Sequence, residues 1–77
     1  MDIPDLVAVL GGADKLAQRL RVRGVRNVGP SALKKWGQRG MPDSYIIRMA
    51  LIGEILAAGL GEATRADALA LVSRGQR

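Results

Sequence analysis

What constrains this chain first is its punctuation. Gly11–Gly12, Gly29–Pro30, Gly40 with Pro42, and Gly59 with Gly61 cut it at short intervals. Glycine ends helices because it enters the left-handed region without a Cβ penalty. Proline opens them because its φ is fixed and it has no N–H to leave unpaired. The longest apolar region, Tyr45 to Leu60, is broken by Arg48 and Glu54. It falls short of the roughly 20 clean residues of a membrane span. The chain must therefore be assembled from short elements that bury one another.

Composition says which elements these are. Hydrophobic residues make up 48% and charged residues 25% of the chain, a globular balance. Trp36 and Tyr45 are the only aromatics, so the core is aliphatic, and abundant Leu and Ala favour helices over a sheet. The pattern predicts an all-α, compact bundle of about five short helices, forming a single domain over 1–77. Pro4 and Asp5 suit the start of a first helix over about 4–10. Ala13, Leu16, Ala17 and Leu20 form one apolar stripe of a second helix over 13–20. Pro30 opens a third over 30–38, with Gly37 and Gly40 marking its end. A fourth starts near Pro42–Asp43 and runs to about Ala58. Thr64 and Asp67 resemble a capping box before a fifth over 65–74. The final RGQR is expected to fray. Residues 21–29 have no clean period and read as a loop, a small hairpin, or one extra turn of the second helix followed by a loop.

Several functions are disfavoured. The chain has neither Cys nor His, so no thiolate metal site or disulfide is available, and neutral-pH acid–base catalysis lacks its usual residue. We expect no enzyme, no metal and no cofactor. Gly24 to Gly29 has phosphate-loop spacing, but Pro30 and Ser31 stand where Lys and Ser or Thr belong. No small-molecule ligand is evident. The N-terminus carries acids where a signal peptide needs Lys or Arg, so the expectation is a cytoplasmic, nucleoid-associated protein with no membrane contact.

The charge is strongly segregated. Net charge is +5, and Lys15 to Arg39 holds eight Lys or Arg with no Asp or Glu. Solvated faces usually mix signs, so an acid-free basic block beside two short helices is the electrostatic footprint of a nucleic-acid binder. On the third helix, Ser31, Lys34, Lys35 and Gln38 share one arc opposite Leu33, while Trp36 falls on the core side. Such side chains donate hydrogen bonds to phosphates and base edges. The plainer reading is the polar outer face that any small helix has.

GGADKLAQRL followed by VGPSALKKWGQRGMP resembles the Cro/CI type of phage and bacterial repressor helix-turn-helix. Gly12, Ala13, Leu16, Ala17 and Leu20 match its first motif helix. Pro30, Ala32, Leu33 and Trp36 match the second, and Arg39, Gly40, Met41 and Pro42 match the exit. The match covers roughly residues 8–52. It implies that the third helix is a recognition helix, that Ser31, Lys34, Lys35 and Gln38 face DNA, and that Leu33 and Trp36 are structural. The chain departs from the family between the motif helices, where a turn of three or four residues is usual. Here an extended basic inter-helix loop, residues 21–29, intervenes. It is either a tolerated insertion or an extension of the footprint by Arg21, Arg23, Arg26 and Asn27, onto phosphates or into the minor groove. Lys15, Gln18, Arg19 and Arg39 complete the expected backbone-contacting set.

The fourth helix is apolar nearly all round. Tyr45, Met49, Ile52 and Leu56 form a stripe suited to the core. Ile47, Leu51 and Ile55 form another, beside Arg48 and Glu54. With Leu69, Leu71 and Val72, this second stripe is expected to make a twofold homodimer, so that 42–74 are dimerisation helices; the alternative is that the fifth helix folds back and covers it. A dimer would present two recognition helices about 34 Å apart to a pseudo-palindromic site. Sequence alone thus points to a sequence-specific double-stranded DNA-binding regulator, most simply a repressor. The alternatives are a non-specific or architectural DNA binder, or a helical interaction module for an acidic protein.

Overall fold

The computed structural model describes residues 1–74. Of the RGQR segment expected to fray, Arg74 is instead the last residue of a helix, and 75–77 lie outside the described residues. Five helices follow one another: α1 Ile3–Val9, α2 Ala13–Val22, α3 Pro30–Arg39, α4 Tyr45–Ala57 and α5 Glu62–Arg74. No strand occurs among the described residues, and none of their helices is long and apolar enough to cross a membrane.

Capping sets the boundaries. Asp2 and Asp5 close a reciprocal capping box on α1, with Pro4 in the first turn. α1 ends where the Gly12 N–H donates to the Val7 carbonyl and the Gly11 N–H to Ala8, a Schellman closure with Gly11 at φ 104°. Gly12, at φ 95°, then serves as N-cap of α2. α2 closes the same way two residues later than expected. The Val25 N–H donates to Leu20 and the Gly24 N–H to Arg21, with Gly24 at φ 100°. Of the three readings of 21–29, the extra helical turn followed by a loop is therefore the observed one. Val25 packs into the core beside Leu20, the hydrophobic contact that accompanies this closure.

Two other boundaries differ from expectation. α4 starts at Tyr45, because the Ser44 hydroxyl accepts the Ile47 N–H at 3.3 Å and fixes the N-cap beyond Pro42–Asp43. α5 begins at Glu62, with the Arg65 N–H donating to the Gly61 carbonyl; Thr64 and Asp67 lie inside the helix and cap nothing. Gly37 does not end α3. A Cβ there would stand 3.1 Å from Pro4 Cγ, so the glycine lets α1 cross α3 closely.

The core is one aliphatic cluster. Leu6, Leu16, Leu20, Leu33, Leu51, Ile55 and Val72 are its most completely enclosed large side chains, and Trp36 lies buried at its side. α2 packs on α1, α3 and α4, and α5 packs on α4. α2 is thus the central strut, with α3 on one flank and α4 on another.

The structure reverses the two faces of α4. Leu51, Ile55, Leu71 and Val72, expected in a dimer interface, are buried within one chain, and Ile47 and Leu69 are half-buried against them. Their partner is intramolecular: α5 folds back on α4 and covers that stripe. Tyr45, Met49 and Leu56, expected in the core, are exposed.

Candidate nucleic-acid interface

The α3 surface is built by three local facts. Pro30 starts the helix, and no side chain caps the Gly29 end, so its first-turn N–H groups, at the positive end of the helix dipole, have no side-chain acceptor. Leu33 and Trp36 pin the inner side. Ser31, Lys34, Lys35, Gln38 and Arg39 are left exposed. The helix dips to the core at Leu33 and Trp36, rests Ala32 against it, and shows polar donors at Ser31, Lys34, Lys35, Gln38 and Arg39.

Lys15, Gln18 and Arg21 are exposed on α2, and Arg26 and Asn27 are exposed in the connection to α3. Val25 and Val28 are buried on either side of those two, so the connection is anchored at two points and presents Arg26 and Asn27 between them. Among the described residues, Lys15, Arg21, Arg26, Lys34, Lys35 and Arg39 form no salt bridge. Their charges are available to an anionic partner.

Arg19 and Arg23 behave differently. Their Nε atoms reach the two oxygens of Glu54, at 2.5 Å each. Glu54 is the one buried charged residue among those described, 5% exposed. Arg19 also donates to the Leu10 carbonyl at the end of α1. One carboxylate on α4 thus ties Arg19 of α2 and Arg23 at its C-cap, and through Arg19 reaches α1. Gly53 makes room for this: a Cβ there would lie 2.6 Å from Arg23 Nη1. Burial pushes the Glu54 carboxyl up, but the hydrogen bonds and charges of Arg23 and Arg19 outweigh it and hold the group below its ordinary value. The two guanidinium groups keep partly exposed edges, with side-chain exposures of 41% and 38%, yet their first role here is structural.

Sequence reasoning missed this clamp, although a signal was present. Arg23 stands three residues after Leu20, where the apolar stripe of α2 continues, and Glu54 is a lone acid in an otherwise apolar turn. A carboxylate there is buried only if cations meet it.

Among the described residues no cluster of acids is arranged to hold a metal ion. Comparison with protein-family models, with curated proteins and with solved structures finds no match to this chain.

Proposed function

We propose that this protein is a sequence-specific double-stranded DNA-binding regulator of the Cro/CI-like helix-turn-helix kind, with α2 and α3 as the motif and α3 lying in the major groove. The observation that carries this reading is the outer face of α3, where Ser31, Lys34, Lys35 and Gln38 stand exposed and the cations have no acidic partner. Two lysines and two neutral donors on one helical face suit a surface of phosphates and base edges. Lys15, Arg21, Arg26 and Arg39 extend the positive field around it and set affinity through phosphate neutralisation. Control is by occupancy of the operator, most simply as repression. This is a binding protein rather than an enzyme, found with the nucleoid.

The test is selection of duplexes from a randomised pool, then anisotropy titration of the winner and of a scrambled duplex near 150 mM salt. A ratio of about 10³ or more supports specific readout. Lys34→Ala and Lys35→Ala should each cost about 1–3 kcal/mol on the selected duplex and less on the scrambled one. Folding stability should move by no more than about 0.5 kcal/mol. Equal losses on both duplexes would assign the lysines to phosphate. Equal, weak binding of both duplexes by the parent chain would make it a non-specific binder. Binding to neither would turn attention to acidic proteins.

A further inference from the structure

α4 leaves a row of apolar side chains uncovered. Tyr45 is 72% exposed, Ile46 63%, Met49 46% and Leu56 60%, and Ile52 is half-buried. Tyr45, Met49, Ile52 and Leu56 follow i, i+4, i+7 and i+11, one stripe along a 13-residue helix that is about 20 Å long. The uncovered area is on the order of 500 Å², near the upper end for one patch on a monomer and more than half of the roughly 800 Å² that each partner buries in a standard interface.

Charge decides what covers it. The chain carries +5, and among the described residues six of its unpaired cations lie on α2, α3 and the connection between them, with Arg65 and Arg74 on α5. Two copies approaching through those surfaces repel. The α4 row carries no unpaired charge: Arg48 is paired with Asp43 at 3.3 Å, and Glu54 is turned inward onto Arg19 and Arg23. DNA and acidic proteins find nothing there to pair with. A second copy presents the same neutral, apolar row, which is the self-complementarity a twofold contact requires.

We propose that the occupant is a second copy of this chain. α4 packs antiparallel against α4 of the partner, with Met49 and Ile52 near the twofold axis and Tyr45 of each copy toward Leu56 of the other. α3 packs on α1 and α2 rather than on this row, so the pairing leaves its polar face open. The use of the pair on an operator rests on the preceding reading; the pairing itself does not.

The test is sedimentation equilibrium of the full chain without DNA, from about 1 to 500 µM, a range suited to a modest interface. The parent chain should move from 8.2 kDa toward twice that mass. Ile46→Asp and Met49→Asp, both at exposed positions, should stay monomeric throughout, with unchanged helical circular dichroism and urea midpoint. A parent chain that stays monomeric overturns the proposal. So do variants that pair as well as the parent, which would place the contact elsewhere. A monomer that partitions onto zwitterionic phospholipid vesicles through this row also overturns it, in favour of a membrane surface. Lys34→Ala/Lys35→Ala should pair like the parent. A chain that pairs through α4 but binds no duplex would sink the DNA reading alone; a monomeric chain with specific DNA binding would sink this one alone.

Discussion

Two groups of basic side chains come from the same acid-free stretch and meet opposite fates. Lys34 and Lys35 on α3 stand in water with no acidic partner. Arg19 on α2 and Arg23 at its C-cap fold onto Glu54, which is 35 and 31 residues away in the chain. The difference teaches that a stretch without acids is not a surface without acids. Tertiary packing brings a carboxylate from α4 to one side of α2 and none to α3. One group is positioned to meet a partner, and the other holds the fold that positions it.

The comparison breaks most easily at the clamp. Arg19→Ala with Arg23→Ala leaves a buried carboxylate without cations and should cost about 3 kcal/mol. That is the low end for a broken buried pair, because the truncation also lets water reach Glu54. Against a total of about 5 kcal/mol for so small a domain, the urea midpoint should fall far with little change in slope. A loss below about 0.5 kcal/mol would return both arginines to the set of free cations.

Glu54→Gln is gentler, because the two half-exposed guanidinium groups can be rehydrated; about 1 kcal/mol is expected. Its pH dependence is more telling. The folded-state value of Glu54 is lowered from 4.5. Its contribution is therefore fully present above that value and is lost as pH falls through the lower folded-state value. The parent should lose stability on acidification below about pH 5, and the Gln variant should lose less. Parallel acid profiles for the two would remove the clamp from the stability balance.

Arg26→Ala sharpens the other side of the comparison and should have the smallest effect. Its charge is unpaired, so stability should change by less than about 0.5 kcal/mol, while the slope of log K against log salt on any duplex should flatten by about 0.9 if one phosphate contact is lost. Arg23→Ala, by contrast, should act first on stability. An unchanged slope for Arg26→Ala would leave residues 23–29 a purely structural connection.

Much of the fold was legible because glycine and proline act locally. Gly11–Gly12, Gly29–Pro30 and Gly59 place ends that no distant contact has to decide, and the stripe of Leu16, Ala17 and Leu20 fixes its own inward side. The orientation of α4 was not legible, for a definite reason. Apolar on every side, it gives periodicity little to choose with, and the stripe beside Arg48 and Glu54 reads from sequence as the outer one. Glu54 instead points inward, and only its pairing with Arg19 and Arg23 makes that tolerable. The same hidden pair removed Arg19 and Arg23 from the residues whose charge is wholly free. On α3, where the charged side chains meet no distant partner, local pattern and tertiary placement agree: Leu33 and Trp36 lie inside, and Ser31, Lys34, Lys35 and Gln38 lie outside.

The two valines that flank Arg26 and Asn27 have a thermodynamic consequence. A free loop that grips a ligand must lose backbone freedom at the moment of binding, about 1–2 kcal/mol for each residue ordered. Here Val25 and Val28 are already seated in the core, so that entropy is lost during folding. Whatever anion Arg26 meets, the association is opposed mainly by the freezing of one side chain. The connection is preorganised, and inserting a few glycines between Asn27 and Val28 should leave its charge unchanged while weakening its grip.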